Sequence, residues 1–182
     1  MTATRLLSAF IITAVLLAGA PAARAATAAE IDVKVDVALE RFRKEVGGGT
    51  EFLGRAKGVL VFPEVIKAGF GIGGEYGEGA LRIGGATVEY YNTAAASIGF
   101  QLGAQMKTII LVFLDAGALD KLRNSDNWEV GVDGSVAIVE FGAGKDLNTM
   151  SFNDPVVGFI INNKGLMYNL TLEGSKISKI NR

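Results

Sequence analysis

Between Lys57 and Gly85 the chain reads KGVLVFPEVIKAGFGIGGEYGEGALRIGG, and within it Gly69, Gly71 and Gly73 alternate with Phe70 and Ile72. Alternation is the period of a β-strand, whose successive side chains point to opposite faces. The pattern predicts a strand with one bare face and one bulky face. Glycine weakens a strand unless another backbone or a ligand must come close, or the sheet must bend sharply. The segment therefore predicts a bent sheet and asks what approaches its bare side. Gly99 and Gly103 flank Phe100-Gln101-Leu102 further on and read as further bends, not as a repeat.

The rest of the chain supports a β-rich reading. Val59 to Phe62 is a short apolar run expected to stop at Pro63. Strands are expected over Gly69 to Tyr76, Ala80 to Ile83, Ser97 to Leu102 and Thr108 to Leu114. More follow over Glu129 to Phe141, Val157 to Ile161 and Leu166 to Leu172. Asn162-Asn163-Lys164-Gly165 reads as a hairpin turn. Two helices frame this series. Ile31, Val35, Leu39, Phe42 and Val46 recur at helical spacing in an amphipathic stretch from Ala29 to Val46, closed by Gly47-Gly48-Gly49. Asp115 is a natural N-cap for a second helix carrying Leu119 and Leu122, and Glu51 to Ala56 suggests one helical turn. The expected fold class is α+β. It comprises a mostly antiparallel, strongly curled sheet, sandwich or barrel-like, with an N-terminal amphipathic helix and one internal helix.

Residues 1–25 read differently. Arg5 precedes an apolar run from Leu6 to Ala20, and Ala23-Arg24-Ala25 fits a small-x-small cleavage site. This is the layout of a signal peptide, which places the mature chain at 26–182 as one domain. The expected location is the bacterial periplasm, free or peripheral on a membrane. The chain has no cysteine, so it has no disulfide, no thiolate ligand and no lipoprotein anchor. Losing Arg5 and Arg24 takes the 18 basic residues to 16 against 19 acidic ones, a balance of −3. That balance is unlike a nucleic-acid binder.

Catalytic signals are absent from the sequence. Without histidine the commonest general base, metal ligand and triad member is missing. Glu75, Glu78 and Glu89 are expected as solvated residues at turns. Gly69-x-Gly71-x-Gly73-Gly74 superficially matches a dinucleotide-binding fingerprint. However, Glu75-Tyr76-Gly77-Glu78-Gly79 follows it where that motif needs a helix. No catalytic residue, metal site or cofactor is expected, and the chain reads as a non-enzyme.

Several motifs occur together in order. Ala56-Lys57-Gly58-Val59-Leu60-Val61-Phe62-Pro63 leads into Lys67-Ala68-Gly69-Phe70-Gly71-Ile72-Gly73-Gly74 and Gly77-Glu78-Gly79. Tyr90-Tyr91-Asn92, Ser97 to Gln105 and Leu111-Val112-Phe113 follow. Ala118-Leu119, Glu129 to Asp133, Lys164-Gly165-Leu166 and Leu172 to Ser175 complete the series. Across nearly the whole mature chain this resembles the SYLF-domain family. The resemblance implies lipid binding: eukaryotic members bind phosphoinositide membranes and act in actin organisation, and secreted bacterial members are regarded as lipid-binding envelope proteins. An exported chain would not meet cytoplasmic actin, so the expected partners are an anionic lipid or membrane surface, with envelope proteins as a second class.

The candidate lipid-binding residues are the cations Arg55, Lys57, Lys67 and Lys107, with Phe62 and Phe70 beside them. If folding gathers the cations on one rim, they could bind lipid phosphates while the aromatics or an amphipathic helix meet acyl chains. Gly69, Gly71, Gly73, Gly74, Gly99 and Gly103 are expected to shape the sheet, not to bind. An envelope scaffold without a lipid ligand is the alternative, and a small outer-membrane β-barrel ranks below it.

Overall fold

The computed structural model describes residues 25–139, 147, 152–162, 172 and 174–182, with the backbone alone at 69–72, 97–104 and 162. Helix α1 (Ala28–Glu45) starts in a capping box. The Thr27 hydroxyl accepts from the Glu30 N–H, and the Glu30 carboxylate accepts from the Thr27 N–H at 2.7 Å. Helix α2 (Gly49–Gly54) follows, entered through Gly48 at φ 72°. Two long strands come next, β1 (Gly58–Ile83) and β2 (Ala86–Phe113). Helix α3 (Ala116–Asn124) is capped by Asp115, whose carboxylate accepts from the Ala118 N–H. Four short strands complete the described chain: β3 (Trp128–Glu129), β4 (Val136–Val139), β5 (Val156–Asn162) and β6 (Lys176–Ile180).

β1 and β2 pair antiparallel along their whole length, and the opposite edge of β2 is shared by β5 and β6. β3 adds antiparallel to β6, whereas β4 adds parallel to β5, so the sheet is mixed at one margin. The α+β, strongly curled character expected from the sequence is borne out: the sheet forms a half-barrel. The separate strands expected between Val59 and Leu114 are instead two continuous ones. Gly84 and Gly85, at φ 60° and 86°, make the two-residue turn between them, a conformation that needs positive φ at both positions.

Pro63 does not end a strand. Pro63 and Glu64 together stand opposite Thr108 in a bulge between the Phe62–Ile109 and Val65–Lys107 pairs. A bulge tolerates the missing N–H, and the Thr108 hydroxyl donates to the Pro63 carbonyl at 2.8 Å. A second register shift falls between Gly69 and Gly71, which face Gly103 and Gly99. The strand expected over Glu129 to Phe141 is interrupted because Gly131 takes φ 87° in a turn. Its N–H donates to the Gly134 carbonyl, leaving β3 and β4 on either side. β6 was not expected, although Ile177 alternates with polar neighbours. Of the turn expected at 162–165 only Asn162 is described, as the last residue of β5, and most of the strand expected over 166–172 lies outside the described residues.

The curl divides the core in two. Leu60, Phe62, Val65, Leu81, Tyr91, Ile109, Leu111 and Phe113 fill the concave side, closed by Leu119 and Leu122 of α3 and by Trp128. On the other face Val59, Val61, Ala80, Ile110 and Val112 are covered by Ile31, Val35, Leu39 and Phe42 of α1. Phe159 stands between Phe42 and Phe52 in edge-to-face contacts.

The curl is tight enough that β1 crosses itself. A Cβ on Gly77 would lie 2.8 Å from the Glu64 carbonyl oxygen and from Val65 Cγ2, and one on Gly79 would overlap the Val61 carbonyl. By contrast, a Cβ on Gly74 meets only the Ala95 carbonyl oxygen, at an ordinary 3.6 Å. Gly79→Ala is therefore expected to cost about 3 kcal/mol or more and Gly74→Ala well under about 1 kcal/mol, read by urea denaturation. Equal effects at the two positions would contradict the crossing.

Candidate functional site

The self-crossing of β1 gives the β1–β2 hairpin a neck and, beyond it, an apex. Pleat alternation carries the concave face from Val65 through Lys67, and from Leu81 back through Gly79 and Gly77 to Glu75. On β2 the same face runs from Ile109 to Lys107. Glu75 pairs in the ladder with Ala95, and Lys107 with Val65, yet the neck brings their side chains together. Lys107 Nζ lies 2.6 Å from Glu75 Oε2, and Lys67 Nζ lies 3.6 Å from Glu75 Oε1.

Two ammonium groups thus share one carboxylate. The Lys107 side chain is 3% exposed and Glu75 10%, so their pair is buried. Lys107 Nζ has this close contact of charges but no aligned hydrogen bond among the described residues. Burying such a pair costs desolvation, and removing one member leaves the other uncompensated. Lys67 differs. Its side chain is 31% exposed and its ammonium stands beyond hydrogen-bond distance from Glu75, so its charge is only partly neutralised.

The other expected site residues are spread out. Phe62 is fully buried in the concave core. Arg55 and Lys57 are exposed, with the Arg55 guanidinium 5.3 Å from the centre of the Phe52 ring. They adjoin a cleft of about 540 Å³ between the C-terminal half of α1, α2 and the Gly84-Gly85 turn, lined in part by Arg43, Glu40 and Arg82. Lys67 and Lys107 lie at the neck, near the opposite end of α1, where Lys34 pairs with Glu64 at 2.5 Å. The structure joins the cations as two pairs and not on one rim. The Phe70 side chain lies outside the described residues. Of the glycines, Gly69, Gly71, Gly99 and Gly103 mark the register shift, while Gly73 and Gly74 pair with Ser97 and Ala96.

The three glutamates expected as solvated turn residues are strand residues with partners. Glu75 holds the two lysines. Glu78 accepts from the Tyr76 hydroxyl and pairs with Arg182. Glu89 accepts from Tyr91 at 2.8 Å, Arg123 at 3.1 Å and Lys179 at 2.9 Å, tying β2 to α3 and β6. The alternation that marks Leu81 and Tyr91 as inward also marks Glu75 and Glu89, and that signal was available in the sequence. Burial pushes the Glu89 carboxyl up, but its bonds to Lys179, Arg123 and Tyr91 outweigh this and hold it below the usual range. Burial and the Glu89 carboxylate together push the Tyr91 phenol well above its ordinary value. Arg82 secures α1, with Nη2 2.8 Å from Asp36 Oδ1, and Asp32 accepts from Thr87 and Tyr90 at 2.7 and 2.9 Å.

Among the described residues no group of three or more carboxylates could hold a metal ion, and no helix is long and apolar enough to cross a membrane. The fold is a curled sheet with a helix-covered face, and charged side chains clamp its strands to one another and to the helices. Residues 94–182 match the family model described as Ysc84, Las17-binding protein actin regulator, which is consistent with the resemblance of the chain's motifs to the SYLF-domain family. The match begins within β2, so β1 lies outside it. No curated protein matches the chain. The SYLF family is one of binding domains, not enzymes.

A depressed carboxyl stabilises the fold above its unfolded pKa, and that contribution disappears as pH falls through the lower folded value. Below about pH 4.5 the Glu89 bonds to Arg123 and Lys179 are therefore expected to weaken. Thermal unfolding of Glu89→Gln should give a lower midpoint than the parent at pH 7, with a gap that narrows towards pH 3. A gap independent of pH would contradict the assignment.

Proposed function

We propose that this chain is a non-enzymatic, lipid-binding protein of the bacterial cell envelope that recognises anionic headgroups. The family is linked to lipid binding and to actin regulation, which supports the general class. The observation that carries the reading is the pair of lysines sharing Glu75 at the neck of the hairpin. Lys107 is consumed as a buried clamp, which leaves Lys67 as the cation with unspent charge and access to solvent. A lipid phosphate beside Lys67 would complete the neutralisation that a single carboxylate leaves unfinished.

Co-sedimentation with phosphatidylglycerol vesicles tests this. Binding is expected at low salt, weakening as salt rises, and absent for phosphatidylcholine alone. A cation at an anionic surface contributes about 1 kcal/mol, so Lys67→Ala should weaken binding about fivefold. A double Arg55→Ala, Lys57→Ala variant should change it little. Folded protein that stays in the supernatant with anionic vesicles at low salt would overturn the reading.

The location is part of the same proposal. The Arg5, Leu6–Ala20 and Ala23-Arg24-Ala25 layout supports export and cleavage after Ala25. Protein released from the periplasm without detergent should begin at Ala26 by intact mass. A full-length chain retained in membranes would contradict cleavage, and release only by detergent would favour the β-barrel alternative. A second reading, an envelope protein-interaction domain, draws on the family description, which names a Las17-binding protein. Partner binding that ignores lipid would favour it.

A further inference from the structure

Beside the neck, three large apolar side chains are exposed on the convex face of the hairpin. Ile66 is 47% exposed, Tyr76 49% and Met106 39%. The other large exposed hydrophobics among the described residues are valines: Val33 and Val37 on α1, Val88 and Val132. Ile66 and Met106 are direct cross-strand partners, as are Tyr76 and Ala94, so each pair shares one face of the sheet. Ala68, Ala94 and Ala96 are exposed along the same stretch. The sequence here is free of charge, since no Asp, Glu, Lys or Arg occurs at 68–74 or at 90–106. An uncharged, exposed apolar surface bounded by ionisable residues is the mark of an interaction site.

Two observations select a bilayer as the occupant. The first is charge. Directly beneath the apex, two lysines stand against one carboxylate, a local positive excess in a mature chain of net −3. Lys176, exposed and paired with Ala94 on the next strand, adds a cation at the rim, beside Glu129. The second is the direction from which the chain arrives. Ala25 and Ala26 line a cleft of about 410 Å³ together with Ile66 and Tyr76 at the base of the apex. The apolar run ends at Ala20, and five extended residues reach at most about 17 Å. The apolar run that precedes the mature chain therefore joins the domain within that reach of Ile66 and Tyr76.

We propose that the β1–β2 apex is a membrane-dipping element. It places Ile66, Tyr76 and Met106 in the interfacial layer of an anionic bilayer while Lys67 meets headgroup phosphates. The inference rests on the lipid-binding reading and deepens it by naming the inserted element.

The cysteine-free chain allows a direct test. Single cysteines at Ile66, Ala96 and, on α3, Lys121 are labelled with an environment-sensitive fluorophore. Each labelled protein is mixed with equimolar phosphatidylglycerol–phosphatidylcholine vesicles, with and without doxyl-labelled acyl chains, and pelleted in parallel. The Ile66→Cys and Ala96→Cys labels should brighten severalfold and be quenched by the doxyl chains, and the Lys121→Cys label should do neither. Ile66→Asp, with unchanged circular dichroism, should reduce the pelleted fraction.

Protein that pellets while both apex labels stay in water overturns the inference and leaves the lipid reading standing. Protein that does not pellet overturns both. Apex labels that become buried without vesicles as concentration rises, with a matching rise in sedimenting mass, assign the face to a second copy and overturn the inference.

Discussion

The architecture depends on one backbone contact: β1 passes over itself where Gly79 meets the Val61 carbonyl and Gly77 meets Glu64 and Val65. A side chain at either glycine would hold the crossing segments apart, and the hairpin would have to open. Because it closes, the same two strands enclose one core on their concave side and present a second surface for α1 on the other. Closure also converts residues far apart in the ladder into neighbours, which is how Lys107 and Lys67 come to share Glu75. The bulge at Pro63-Glu64 and the shift between Gly69 and Gly71 supply the bend on either side of Lys67.

The helices are held mainly by apolar burial. Ile31, Val35, Leu39 and Phe42 are each buried, contributing about 2 kcal/mol apiece on transfer, against well under about 1 kcal/mol for an exposed pair such as Lys34–Glu64. The polar contacts of α1 therefore orient more than they stabilise. Asp32, Asp36 and Lys34 reach from one helix to Arg82, Thr87, Tyr90 and Glu64 on both strands, fixing where α1 lies on the curl. Glu89 performs the same task inside the half-barrel, joining β2 to α3 and β6 through three donors.

How far the fold could be read from the residues follows from the range of each interaction. The amphipathic period of α1, the Asp115 cap and the bent, glycine-rich strand are local signals, and all three appear where expected. Pro63 misled because its missing N–H is harmful only in a regular ladder, and the bulge that absorbs it depends on Thr108, 45 residues away. Gly131 misled in the opposite sense, as a turn inside an apparently continuous strand. The site was legible in part. Lys67 and Lys107 could be named from their places beside the glycines. That they share Glu75, and that Arg55 and Lys57 stand at the far end of α1, follows from the crossing of β1. Phe62 looked like a contact residue because it stands beside the cations of the signature, but alternation places it with Leu60 in the core.

The curl, the buried clamp and the charge-free apex combine into one device: a rigid neck that holds an apolar convex face outward with a cation beneath it. Amide hydrogen exchange with and without phosphatidylglycerol vesicles measures that device most directly, since it maps bound regions along the unmodified chain. Protection centred on 66–76 and 94–106 is the result expected. Unchanged exchange there, with protection confined to α1 or to the Arg55–Lys57 end, would contradict it.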